Sequence, residues 1–233
     1  MPASVAGEFE RGGGTFLTPA DHILERLQRI EGFVFDWDGV FNPGLKGEGA
    51  PSPFSELDSM GTNLLRFGWW LRAAGRLPLT AILTGQENPT AQWLAERERF
   101  QAVYSGFLDK GRALDHMQLH FRLTPDRIAY FFDDVLDLSV ASRCGLRIMA
   151  RSRGAPLLGR LVRERGLADY VTGAAGGSGA VREAAELLLG LAGLYEKAVD
   201  ERTACSPVYT SYLTDRNAAD TSVFRPEQAQ AGP

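Results

Sequence analysis

Apolar positions along the chain fall into short runs parted by stretches of helical periodicity. The runs at 32–35, 79–83, 102–104, 128–132, 146–149 and 170–172 are too short for buried helices and read as strands. Between them, Ile23, Leu24, Leu27 and Ile30 share one helical face. Further helices are expected over 60–75, after Asn88 or Thr90, over 109–121, around Val140 and over 179–199. Thr18, followed by Pro19 and Asp21, marks a helix start with Thr18 as its cap. The Gly- and Pro-rich residues 41–57 suit a loop or hairpin excursion. Strands alternating with helices make βαβ units, and strands that are apolar throughout are covered on both faces. The pattern predicts an α/β fold, a doubly wound parallel sheet, in which ligands sit beyond the carboxyl ends of the strands.

The residues at those ends carry the candidate chemistry. Asp36 and Asp38 follow the first of these strands, and Thr84 and Gly85 follow the second. Lys110 opens the helix after the third, and Asp133, Asp134 and Asp137 follow the fourth. Carboxylates, a hydroxyl and an ammonium on one rim suit a phosphate held by Lys and Thr beside a divalent cation. A carboxylate can attack phosphorus once a cation and a lysine relieve the charge repulsion. A second carboxylate two residues later can protonate the leaving oxygen and then deprotonate water.

Each feature alone has a plainer reading. Asp36-Trp37-Asp38-Gly39 could begin a calcium loop, but that loop would need a ligand at Val40, Gly at position 41 and Glu at position 47. Thr84 could cap a helix, Lys110 could be a surface charge, and Asp133-Asp134 could cap the next helix. The Gly-rich run 173–179 lacks the residues of a phosphate-cradling loop and reads as a turn. The Trp69-Trp70 pair is expected in packing or at a subunit interface. It is the joint placement of the acidic, hydroxyl and ammonium groups at four strand ends that points to one site.

Composition narrows the setting. At 233 residues, with 44% hydrophobic and 23% charged residues, the chain can bury a full core. A net charge of −4 without a dense basic stripe argues against nucleic acid. No apolar run approaches the about 20 residues of a membrane span, and no basic start precedes an apolar stretch, so no membrane and no signal peptide are expected. Cys144 and Cys205 are expected as reduced thiols in a cytoplasmic protein. His116 and His120 can share a helix face without completing a zinc set.

The four motifs, Phe35-Asp36-Trp37-Asp38-Gly39-Val40, Leu83-Thr84-Gly85, Lys110 and Asp133-Asp134-Val135-Leu136-Asp137, resemble in order and spacing those of the haloacid dehalogenase superfamily. The segment Ala168-Asp169-Tyr170-Val171-Thr172 with Gly176-Gly177-Ser178-Gly179-Ala180-Val181-Arg182-Glu183 is similar to the tail of the 3-deoxy-D-manno-octulosonate 8-phosphate phosphatases. Leu57-Asp58-Ser59-Met60-Gly61 resembles the same family, and the resemblance covers about residues 24–198. It implies a Rossmann-like domain over 18–203 with a small hairpin after the first strand and no large cap. It also implies a homotetramer acting on a small phosphorylated sugar acid with Mg2+. By the same resemblance Asp36 would be the nucleophile and Asp38 the acid/base. Asp36, the Asp38 backbone carbonyl and Asp133 would be metal ligands, with Asp137 and Asp134 behind them. Thr84, Gly85 and Lys110 would bind phosphate, and Asp58 and Arg182 would contact substrate. Residues 1–17 are expected to be mobile and 204–233 a flexible tail.

Three positions depart from the family pattern: Phe132 in place of Gly, Gln86 in place of Arg, and Ser59 in place of Gly. Phe132 and Gln86 leave open a phosphatase for another sugar acid such as a nonulosonate 9-phosphate. A second alternative, a catalytically weak relative that binds a phosphosugar or a partner, is opposed by the intact Asp36, Asp38, Lys110 and Asp133.

Overall fold

The computed structural model of the chain describes residues 2–47 and 52–228. In chain order the elements are α1 (Pro2–Arg11), β1 (Thr15–Phe16), α2 (Ala20–Leu27), β2 (Gly32–Phe35), α3 (Glu56–Arg72) and β3 (Leu79–Thr84). There follow α4 (Pro89–Glu98), β4 (Ala102–Ser105), α5 (Lys110–Phe121), β5 (Ile128–Phe132), α6 (Leu138–Ala141) and β6 (Leu146–Arg151). The chain continues through α7 (Pro156–Glu164), β7 (Tyr170–Ala175), α8 (Ala180–Leu191), α9 (Tyr195–Thr203), α10 (Pro207–Asn217) and β8 (Ser222–Phe224).

The strands form one sheet in the order β1-β7-β6-β5-β2-β3-β4-β8, parallel except for β1 at one edge. After β4 the chain crosses back to pair β5 with the far side of β2, so the strand order reverses at β2. A crevice opens at such a reversal, beyond the carboxyl ends of β2, β3 and β5. Successive side chains of a strand face opposite layers, and β2 shows it. Phe33 and Phe35 enter the apolar layer with Leu65, Leu94 and Leu188, whereas Val34 joins Leu83, Leu114, Tyr130 and Val162 on the other face. Helix α3 lies flat against α8, where a Cβ on Gly61 would sit 2.7 Å from the Arg182 Cα.

Several expectations change. Residues 2–17 and 204–228 form helices and strands of the sheet and its cover, where mobile ends were expected. Val5 and Phe9 of α1 pack on the core, and β1 pairs with β7. The glycines before β1 reflect contact, not mobility: a Cβ on Gly14 would fall 1.7 Å from the Tyr170 hydroxyl. In the tail, Ser206 accepts a hydrogen bond from the Tyr209 amide and opens α10, Tyr212 is fully buried against Phe67 and Trp70, and β8 extends the sheet beside β4. The remaining tail, 229–233, lies outside the described residues.

The helix expected over 179–199 is two helices. Gly193 adopts φ +67°, which lets the Leu194 amide close α8 on the Leu189 carbonyl at 2.8 Å. Thr18 does not cap α2, because its hydroxyl donates to Asp169 at 2.7 Å. Helix α7 had no counterpart in the sequence reading. The excursion after β2 holds a bridge between Asp38 and Asn42 but no paired strands among its described residues, and positions 48–51 lie outside them. Among the described residues no helix or strand stands between β2 and α3 that could form a cap over the strand ends. Trp69 is in the core, its Nε1 donating to the Ile30 carbonyl, and Trp70 packs under α10.

Candidate active site

Asp36 is the first residue past β2, its amide still tied to the Phe131 carbonyl at 2.8 Å. The chain then reverses through Gly39, at φ +81°, whose amide donates to the Asn42 carbonyl at 3.0 Å. A side chain at position 39 could not be accommodated, since its Cβ would stand 1.9 Å from Asp133 Oδ2. The turn after β2 and the end of β5 are thus pressed together, and three carboxylates converge. Oxygens of Asp36, Asp133 and Asp137 all lie within 4.8 Å of one another.

Lys110, at the start of α5, reaches into this cluster. Its Nζ donates to Asp36 Oδ1 and to Asp137 Oδ1, both at 2.6 Å, and the Tyr130 hydroxyl also donates to Asp137 Oδ1. Burial alone would lower the Lys110 pKa, but the two carboxylates outweigh it and raise it, so the ammonium is retained. Asp36 is pushed up to about 7, first by burial and then by the Asp137 charge, against the pull of Lys110. Asp133 is pushed up to about 8 by burial and by Asp36, Asp137 and Asp134. One ammonium does not neutralise this much buried negative charge, and hard oxygens so close together are the donor set of a divalent cation. Both oxygens of Asp137 are engaged, Oδ1 by Lys110 and Tyr130 and Oδ2 by the Asp134 amide at 3.3 Å. Asp36 gives only Oδ1 to Lys110, so Asp36 and Asp133 are the carboxylates better placed to face a cation.

Asp38 stands apart from that cluster. Its Oδ2 accepts from Asn88 Nδ2 at 3.2 Å and from Lys46 Nζ, and its Oδ1 is buried without a partner among the described residues. Thr84 closes β3 on the neighbouring strand, with its hydroxyl donating to the Gln86 carbonyl at 3.2 Å.

No family model matches the chain. The 3-deoxy-D-manno-octulosonate 8-phosphate phosphatase KdsC of Salmonella typhi is 30% identical over 169 residues, which span 72% of this chain and 84% of that protein. The crystal structure of the Yersinia pestis 3-deoxy-D-manno-octulosonate 8-phosphate phosphatase superposes with a TM-score of 0.62 at 29% identity, covering 76% of this chain and 89% of that one. That of a probable YrbI-family phosphatase from Pseudomonas syringae gives 0.65 at 30% identity, covering 78% and 98%. The chain belongs to the 3-deoxy-D-manno-octulosonate 8-phosphate phosphatase family.

As a member of that family it is a phosphatase, a hydrolase of phosphoric monoesters on a haloacid dehalogenase fold. Of the residues singled out in this phosphatase's sequence, Asp36, Lys110, Asp133 and Asp137 are brought into contact, and Asp38, Thr84 and Gly85 lie on the same rim. Asp134 is not in the cluster: it is exposed and accepts from the Val135 amide at 2.7 Å, capping the turn that carries Asp137. Asp58 is fully buried and accepts from the Gly179 and Arg182 amides at 3.3 and 3.0 Å, so it caps α8. Arg182 turns along α8 to Glu186 at 2.5 Å. Asp58, fully buried, is not free to meet a substrate within this protomer, whereas Arg182 is partly exposed and held by its pair with Glu186. Phe132 does not crowd the crevice; it is buried among Val34, Tyr104 and Val140, with its ring parallel to that of Tyr130. Gln86 is exposed.

Sequence reasoning missed Tyr130, Asn88 and Lys46. Tyr130 had been absorbed into a strand, Asn88 reads as a helix cap, and Lys46 lies in a loop without periodicity. A tyrosine in the middle of an otherwise aliphatic and phenylalanine strand is the one signal that was available, because a buried hydroxyl needs a partner.

Proposed function

We propose that this phosphatase works through an aspartyl-phosphate on Asp36, with Mg2+, on a phosphorylated sugar acid. The observation that carries the reading is the Asp36 carboxylate, aligned by Lys110 at 2.6 Å and set beside Asp133 in a buried cluster. The carboxylates of Asp36 and Asp133 and the backbone carbonyl of Asp38 would hold the cation. Bound there, magnesium offsets the charge of the nucleophile and of the phosphoryl oxygens.

The protein's own groups account for the rest. An Asp36 oxygen forms a bond to phosphorus as the bond from phosphorus to the ester oxygen breaks. Asp38 gives that oxygen its proton, and the sugar leaves as an alcohol. In the second half a water oxygen attacks the same phosphorus, Asp38 takes the water's proton, and Asp36 departs as a carboxylate with inorganic phosphate released. Lys110, the Thr84 hydroxyl and nearby amides donate to the equatorial oxygens, where the transferring group carries its charge. Lys110 also favours the ionised form of Asp36 and orients it against the repulsion of Asp137.

The substrate class rests on family membership: 3-deoxy-D-manno-octulosonate 8-phosphate is what the curated relatives are named for. Phosphate release from a panel of octulosonate, nonulosonate and simple sugar phosphates, with Mg2+ and with EDTA, tests it. Metal-dependent turnover that is fastest on the octulosonate ester is expected. Preference for a nonulosonate ester would replace the substrate but keep the chemistry. No turnover by folded, metal-loaded protein would sink the enzyme reading of this site.

A further inference from the structure

We propose that Lys46 and Asn88 are positioning residues for Asp38, clamping one of its carboxylate oxygens so that the other faces the leaving group. The inference rests on the role of Asp38 proposed above and adds two residues that no motif carries.

The two oxygens of Asp38 are unlike. Oδ2 accepts from both Lys46 Nζ and Asn88 Nδ2, while Oδ1 is buried and has no partner among the described residues. A buried carboxylate oxygen without a donor loses its hydration for nothing, unless a ligand completes it. A hydrogen on Oδ2 would run into the hydrogens of its two donors. The proton passed to the ester oxygen therefore belongs on Oδ1, the oxygen left bare.

Asn88 forgoes a helix cap to hold this geometry, and Lys46 is held to it by its loop. Asn88 occupies the N-cap position of α4, with an extended backbone at φ −131° and Pro89 next, where its side chain would ordinarily accept from an amide of the first turn. It makes no such bond and is turned to Asp38, although 8% exposed and within easy reach of the helix end. Lys46 lies on the excursion after β2 and is brought back to Asp38 by a tight anchorage. Asn42 Oδ1 accepts from the Gly44 amide at 2.8 Å, and Asn42 Nδ2 donates to the Trp37 carbonyl at 3.3 Å. Among the ion pairs of the described residues, only Lys110 and Lys46 reach a carboxylate of this site. The buried lysine serves Asp36; the other, with 43% of its side chain exposed, serves Asp38.

The test uses leaving groups that differ in their need for a proton. A sugar alkoxide leaves poorly unless protonated, whereas 4-nitrophenolate leaves without help. For Lys46→Met and for Asn88→Ala, kcat/KM should fall about tenfold or more on a sugar phosphate and much less on 4-nitrophenyl phosphate, within the span a general acid contributes. Lys46→Arg should restore part of the loss. On an Asp38→Asn background, adding Lys46→Met should cost the sugar phosphate nothing further. Equal losses on both esters, no loss on either, or additive losses with Asp38→Asn would each overturn the proposal. A crystal structure of the Lys46→Met/Asn88→Ala variant decides it without turnover: the carboxylate of Asp38 should rotate, and an unmoved carboxylate would refute the clamp. Wild-type protein inactive on both esters would instead tell against the phosphatase site itself, leaving the crystallographic outcome to judge the clamp.

Discussion

Asp58 sits between two roles that sequence alone cannot separate. Its place in the segment 57–61, which resembles the family, made it a candidate for the substrate, yet its carboxylate spans to the first amides of α8 from a helix more than a hundred residues earlier in the chain. A carboxylate at that end meets unpaired N–H groups and the positive end of the helix dipole. Replacing Asp58 with Ala should therefore lower stability by about 1–2 kcal/mol in urea unfolding, with KM unchanged; a raised KM at full stability would restore the substrate role. Asp36, Lys110 and Asp133 were legible because each follows an apolar run, and the carboxyl end of a parallel strand leads to the crevice. Tyr130, Asn88 and Lys46 were not, since their parts depend on which side chains a fold brings together. Asp134 was legible as a site-rim carboxylate, but nothing in Asp133-Asp134 says which of the two turns inward.

At the scale of elements, the parallel strands could be read because both faces are buried, which leaves uninterrupted apolar runs. The edges could not. β1 and β8 are two and three residues long, and their neighbours supply the pairing that makes them strands. Glycine misled in opposite senses: around Gly14 it marked close packing and was read as mobility, and at Gly193 it ended a helix that was read as continuous. Where α3 meets α8, Gly61 faces backbone that cannot yield, and Gly61→Ala should cost about 1–3 kcal/mol by overpacking. The tail can be tested in the same way. Tyr212 fills the space between Phe67 and Trp70, with ring centroids 4.9 and 5.8 Å away. Tyr212→Ala should cost about 3 kcal/mol in chemical denaturation. A loss near zero for Tyr212→Ala would show that α10 is not part of the cooperative unit.

For the whole molecule, the crevice stores electrostatic strain that the fold must hold. Burial and mutual repulsion raise Asp36 and Asp133 above the values they would have in an unfolded chain. The metal-free folded protein therefore binds more protons than the unfolded one between about pH 4 and about pH 8. The stability this contributes is complete below the ordinary carboxylate range and is lost as pH rises through the raised values. In EDTA, Tm should fall from about pH 5.5 to about pH 8.5, and Mg2+ should recover more of it at the higher pH. A Tm that rises with pH in EDTA, or Mg2+ protection that shrinks, would contradict the charge balance described for the site.

The central claim is that Asp36 is the group that takes the phosphoryl. Asp36→Asn leaves the shape and the Lys110 contact nearly intact but removes the nucleophilic charge. Its rate of phosphate release with Mg2+, measured on 3-deoxy-D-manno-octulosonate 8-phosphate beside that of wild type, tests the claim most directly. The predicted result is wild-type turnover that EDTA abolishes and a variant that is folded but at least about 10³-fold slower. A folded variant that retains turnover within about tenfold of wild type would contradict it, and would move the nucleophile to another residue or to water.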